Sequence, residues 1–375
     1  MPSMMSRKDI LLSLLNKRPA ERVPVTTYGV DRFSHPWMAQ EPSYSEVLVH
    51  SDRLDYIFAI HRSYYASFGF TDILSVDETR FEKKVTTDEE ETSFEFTLHT
   101  PKGPLSARAK ERKNLRTVWR YEYLMKDGKD IDAFLATPFR PRIPPEEEFD
   151  QLVKELGEKG LPEIELPNAV CLVVENMPYK DFMMLPLTDA TRLERLLDKA
   201  SSLLLEWTEG MLKKGFGPVY RIFGAEYAIP PYMSPDMFKR FVVKYDRPLI
   251  NLIHRKGCYV RYHCHGPLRR ILPDLLSLEI DMLDPCEGPP NGDISLKEVA
   301  RILGKDVILI GNIQLDDIER ASVQRIDRLV KEAIDEVGDK APLIIAPTAH
   351  PMEIPLSATA ARNIVQLLQS AWEYG

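Results

Sequence analysis

CYVRYHCHGPLRRILPDLLSLEIDMLDP, residues 258–285, carries the repeat on which the fold rests. Its first six residues read as a strand, Gly266-Pro267 opens a helix, and DMLDP (281–285) is the next strand. The same unit recurs outward in both directions, with strands at AVCLVVE (169–175), PVYRIF (218–223), DVILIG (306–311) and PLIIAP (342–347). Between them, 189–215 and 322–338 have helical periodicity and end on glycine, as helix C-termini often do. Strands that are apolar without alternating, joined by helices, imply a parallel sheet covered by helices. RVPVTTY (22–28) and FTDILSV (70–76) raise the count to eight strands. Eight such units predict an α/β fold, a closed TIM (β/α)8 barrel forming one domain over 1–375. An open doubly wound sheet is the alternative.

Residues 79–125 break the pattern. Polar and apolar residues alternate there around the turn PKGP, so the segment predicts antiparallel hairpins inserted near the N-terminal half and lying over the barrel mouth. A Pro-rich, charged stretch, FRPRIPPEEEF (139–149), leads back into the barrel.

Composition narrows the function. The chain has 375 residues, 44% hydrophobic and 28% charged, which suits a soluble globular protein. A net charge of −8 argues against a nucleic-acid partner, whose phosphates call for a basic face. No run approaches the roughly 18–20 apolar residues of a membrane span. The first residues read as an amphipathic helix rather than a signal peptide. Four cysteines in a chain this long do not make a disulfide framework, so a reducing cytoplasm is expected.

Positions two apart on a strand point to one face, so His263 and His265 project together while Cys264 points toward the helix layer. Barrel active sites lie at the carboxyl ends of the strands. Two histidines there are half of a site for zinc or another divalent ion, or else a substrate wall, or a buried hydrogen-bonding pair. The following strand ends in DMLDPCEGPPNGD, which brings Asp284, Cys286 and Glu287 to the same rim. The last strand ends in IIAPTAHPMEIP, which brings His350 and Glu353. His263, His265, Glu287 and His350 are therefore the expected metal ligands.

Three segments then resemble the uroporphyrinogen decarboxylase superfamily: SPDMFKRFVVKYDRPLINLIHRKGCYVRYHCHG (234–266), DVILIGNIQLDDI (306–318) and the opening RKDILLSLLNKRPAERVPVTTYG (7–29). The resemblance implies a (β/α)8 barrel. Within the superfamily, porphyrin decarboxylases carry an Arg-rich loop after the first strand. Here that loop, GVDRFSHPW (29–37), has only Arg32, which tells against a porphyrin substrate. The zinc-dependent branch, which moves methyl groups from methylcorrinoids, carries His-x-Cys-Gly after the fifth strand and a further cysteine after the last. This chain has His263-Cys264-His265-Gly266 and Ala349-His350 at those places. Histidines thus stand where that branch has thiolates. Three imidazoles and one carboxylate would leave a divalent site at about +1, a stronger Lewis acid suited to an oxygen-bearing substrate. Methyl transfer involving a corrinoid on a partner protein, and decarboxylation or lysis of a small acid, are the two activities implied. A non-catalytic ligand-binding barrel is a third possibility.

Other polar residues at strand ends complete the expectation. RIFGAEYAIPPYMSP (221–235) contributes Arg221 toward substrate, with Glu226 as candidate acid or base and Tyr232 beside it. Tyr28 and Arg32 after the first strand, and Asn312 and Gln314 after the seventh, are candidate substrate contacts, with His35 nearby.

Overall fold

The structure is a computed structural model and describes residues 5–61, 72–76, 80–115 and 117–375. Among the described residues, eleven strands run in chain order: β1 (Ile57–His61), β2 (Phe81–Thr87), β3 (Glu91–Thr100), β4 (Gly103–Arg112), β5 (Val118–Glu122), β6 (Gly160–Pro167), β7 (Val219–Phe223), β8 (Tyr259–His263), β9 (Met282–Asp284), β10 (Ile308–Ile313) and β11 (Leu343–Pro347). Seven of them form one parallel sheet in the order β1-β6-β7-β8-β9-β10-β11. The order never reverses, unlike a doubly wound sheet, which turns back at a switch point. The arrangement fits a TIM-like barrel with seven regular strands among the described residues, not the eight expected.

The differences have local causes. The expected strand at 22–28 is irregular, although Val25 bridges Ile345 in parallel. Thr26 N donates to Ile345 O (2.8 Å) and Tyr56 N to Val25 O (2.8 Å), so this segment touches both ends of the sheet. The expected strand at 70–76 falls partly outside the described residues, and 72–74 form a turn. Residues Ala169–Val174, read as a strand, are a helix. A short apolar run is compatible with either element when every side is buried, and here Asn168 decides, its Oδ1 accepting from Cys171 N (2.8 Å) as an N-cap. The strand lies just upstream at GLPEIELP (160–167), whose two prolines and two glutamates are unusual in a central strand. Gly160 is required there, because a Cβ would sit 1.8 Å from Ile57 O on β1.

One end of the barrel is plugged. Helix α1 (Arg7–Leu15) is started by Ser6, which accepts from Asp9 N while Asp9 reaches back to Ser6 N. Its Ile10, Leu11, Leu14 and Leu15 pack with the inward residues Tyr56, Phe58, Leu161, Val219, Met282, Ile308 and Ile344. Outside, the helix Ala190–Lys213 buries Leu193, Leu196, Leu197, Ala200, Leu204 and Trp207, a 3.6-residue stripe facing the core. No helix among the described residues is long and apolar enough to cross a membrane.

The insertion is the antiparallel sheet β2-β3-β4-β5, close to the expected 79–125. Phe94, Phe96, Leu98, Leu105 and Ala107 on its inner face join the main core. It is tied to the carboxyl-end loops by an Arg120–Glu175 ion pair, by Ile354 N to Asn114 O (3.0 Å) and by Met125 N to Asn176 O (2.9 Å). It therefore stands over the open end.

Candidate functional site

Above the apolar plug the barrel interior turns to charge. Alternation along β6, β7, β8 and β9 turns Glu163, Glu165, Arg221, Arg261, His263 and Asp284 inward, all buried. Arg261 grips Asp284 with a fork, Nε to Oδ1 at 3.0 Å and NH2 to Oδ2 at 3.1 Å, and gives NH1 to Glu163 Oε2 at 3.2 Å. Arg221 donates to Glu165 Oε1 (2.6 Å) and to the Tyr28 hydroxyl. Tyr28 sits in the left-handed backbone region (φ 61°), a costly place for a tyrosine. Its ring has the guanidinium of Arg221 at 5.1 Å and that of Arg261 at 5.2 Å.

At the mouth the two histidines meet, ring centroids 4.6 Å apart and nearly perpendicular, as their shared face requires. His263 Nδ1 is 2.9 Å from Asp284 Oδ2 and 3.0 Å from the Tyr28 hydroxyl. His265 Nδ1 is 3.1 Å from Glu287 Oε2, which also accepts from Gly266 N (2.9 Å).

The electrostatics assign protons. Burial alone would raise the Asp284 pKa, but Arg261, then His263 and Arg221, hold it well below 3.8. Burial and then Arg221 lower the His263 pKa, so the imidazole is neutral near pH 7. A neutral ring 2.9 Å from an ionised carboxylate must place its proton on Nδ1, which leaves the Nε2 lone pair open. His265 is different. Burial opposes its charge, yet the hydrogen bond and charge of Glu287 outweigh it and raise its pKa, while Glu287 is lowered in turn. Burial pushes the Glu163 carboxyl up to about 7 despite Arg261 and Arg221.

The expected site residues divide into two groups. His263, His265, Glu287, Tyr28 and Arg221 come together. Glu226 joins them electrostatically, since its charge reaches both histidines, and its Oε2 accepts from Gly224 N (3.0 Å). Asn312 Nδ2 faces Gly288, beside Glu287. Gln314 accepts from Asn291 Nδ2 (2.7 Å) at the surface. Arg32 pairs with Asp52, which also binds Lys159 (3.0 Å) where β1 and β6 begin, so its charge is held at the other end of the sheet. Tyr232 is 55% exposed, its ring 5.8 Å from Tyr179. His350 packs against His35 (5.6 Å between rings), and His35 Nδ1 donates to Gly29 O (2.8 Å). Cys264 is buried in the main core, away from the histidine face. Among the described residues, no group of three or more His, Cys, Asp and Glu side chains is arranged to hold a metal ion.

Glu163, Glu165 and Arg261 were missed from the sequence. The signal for Arg261 was its spacing, two residues before His263 on the same strand face.

Comparison with known proteins agrees with this architecture. The family described as Uroporphyrinogen decarboxylase (URO-D) matches residues 169–370, more than half of the chain. Among solved structures, a methyltransferase from Methanosarcina mazei superposes over 99% of both chains, with a TM-score of 0.65 and 16% identity. A D-psicose 3-epimerase from Clostridium cellulolyticum covers 62% of this chain and 83% of its own, with a TM-score of 0.38 and 9% identity. At 16% identity the likeness to the methyltransferase is one of fold. No curated protein matches the chain. With just over half of its length matched by the family's pattern, the chain belongs to the uroporphyrinogen decarboxylase family.

Proposed function

We propose that the chain is a metal-dependent enzyme in which His263 and His265 supply imidazole ligands to one divalent ion, zinc being the first choice. The reaction class is methyl transfer between a small heteroatom-bearing substrate and a corrinoid carried by a partner protein. One observation carries the metal reading: each histidine has its Nδ1 on a carboxylate, Asp284 or Glu287, so that Nε2 is the nitrogen left to bind an ion. Metal-binding histidines are held by carboxylates in this way, which sets the tautomer and raises ligand basicity. Two imidazoles suit zinc and similar borderline ions.

A bound divalent ion would supply Lewis acidity toward a substrate heteroatom. The chain's own residues have the other tasks. Asp284 fixes His263, and Glu287 with Gly266 N fixes His265. Glu226 would hold or move a proton beside them, and the insertion sheet would shield the mouth from water. Glu287 and His350 remain the candidates for further ligands. Support for methyl as the group moved is the full-length likeness of fold to the Methanosarcina methyltransferase. In this reading the barrel is a single domain closed by 24–26 as an eighth stave, and the four free cysteines suit the cytoplasm.

A second reading rests on the His265–Glu287 pair, which favours the protonated imidazole at the mouth. It could deliver a proton to carbon after loss of carbon dioxide from a small acid, a decarboxylase or lyase needing no ion. Elemental analysis separates the two. The first reading expects about one divalent ion per chain, lost in His263→Ala and in His265→Ala. Purified protein that takes up no added zinc yet decarboxylates a small acid would put the second reading first.

A further inference from the structure

We infer that Glu163 on β6 and Arg261 on β8 are positioning residues, which aim Asp284 at His263 from below the mouth. The inference rests on the reading of His263 as a working imidazole. A carboxylate held by one hydrogen bond can swing, and its histidine partner swings with it. Asp284 cannot, because the Arg261 fork takes both of its oxygens and so fixes the carboxylate plane. That plane directs Oδ2 to His263 Nδ1.

The fork needs its own anchor. Arg261 NH1, the arm that Asp284 leaves over, lies deep in the barrel and ends on Glu163. The aromatic rings of Tyr28 and Phe58, each 5.2 Å from the guanidinium carbon, confine it further. With Glu163 neutral, NH1 loses its ionic partner and the fork is free to turn toward Glu165, beside Arg221. The chain Glu163–Arg261–Asp284–His263 thus spans β6, β8 and β9, and the parallel register of those strands becomes the aim of one imidazole. A charge pair serving packing alone would not need a fork shared with a histidine at the mouth.

The test compares the wild type with Glu163→Gln and Arg261→Lys, using two readouts. Nitrogen-15 spectra of histidine-labelled protein report the His263 tautomer without any metal, with the His263→Asn spectrum assigning the signal. Zinc titration against a chromophoric chelator reports affinity. At pH 8.5, where Glu163 is ionised, the wild type should show the Nδ1–H form alone. Arg261→Lys keeps the charge but loses the fork, and should show mixed tautomers and about 100-fold weaker zinc binding. Glu163→Gln, nearly isosteric and so expected to fold, should show about a tenfold loss and a smaller tautomer change. If both variants, folded by circular dichroism, keep the wild-type tautomer and affinity, the inference fails while the metal reading stands. If no protein binds zinc but the tautomer still shifts in the variants, the metal reading fails and the positioning role holds.

Discussion

Asp284→Asn removes one negative charge from the centre of the barrel with almost no change in volume. Three donors converge on this carboxylate, Arg261 Nε, Arg261 NH2 and His263 Nδ1, and the Arg221 NH2 lies 3.8 Å from Oδ2. An asparagine oxygen can serve only one edge of the fork, and its amide then opposes a donor on the other. Two charge-assisted bonds are lost or turned repulsive, each worth about 1.5–3 kcal/mol. Breaking a buried pair by removing one partner costs about 3–5 kcal/mol. The lower end applies here, because Glu163 and Glu165 still balance the two arginines, so about 3 kcal/mol is expected. Unfolding entropy of about 2.1 cal/mol/K per residue makes this a fall of about 4 °C in Tm for a chain of this length. Calorimetry at pH 7 checks it, with urea unfolding as a second measure. A variant melting within 1 °C of the wild type, or above it, would refute the claim that the network is bound together through Asp284.

Three further outcomes are expected. Burial, then the charge of Asp31, raises the Asp55 pKa to about 7, and an acid raised on folding stabilises below its unfolded pKa of 3.8 and loses that contribution as pH climbs through 7. Asp55→Asn should therefore flatten the wild-type decline in stability between pH 5 and 7, by up to about 1.4 kcal/mol per pH unit; an unchanged slope in thermal melts would count against it. Gly160→Ala should lose more than about 3 kcal/mol or fail to express in soluble form, because its Cβ meets Ile57 O, whereas at Gly157 nothing lies within 4 Å and only the backbone (φ 54°, ψ −126°) costs, about 1–3 kcal/mol. Uroporphyrinogen should not be decarboxylated, since Arg32 is committed to Asp52, and robust coproporphyrinogen formation by purified protein would overturn that.

The sequence made some of this legible, for physical reasons. The period of a strand was enough to put His263 and His265 on one face, and polar–apolar alternation was enough to mark the insertion. Strand β6 was hidden because its function inverts the usual pattern. Glu163 and Glu165 face the barrel interior, where sequence reading expects apolar residues, and Arg221 on β7 and Arg261 on β8 make that burial tolerable. The run 169–174 misled for the converse reason: a helix buried on all sides carries no polar stripe to reveal its period. His350 was placed by its position after the last strand, yet a loop's course is not fixed by that, and it runs against His35.

The most direct measurement of the central claim is X-ray absorption at the zinc edge on protein loaded with one equivalent of metal. Two imidazole nitrogens at about 2.0–2.1 Å, oxygen completing the shell and no sulfur are expected, with the imidazole signal reduced in His265→Ala. Sulfur at about 2.3 Å, or a first shell without imidazole, would contradict the assignment of His263 and His265 as the ligands.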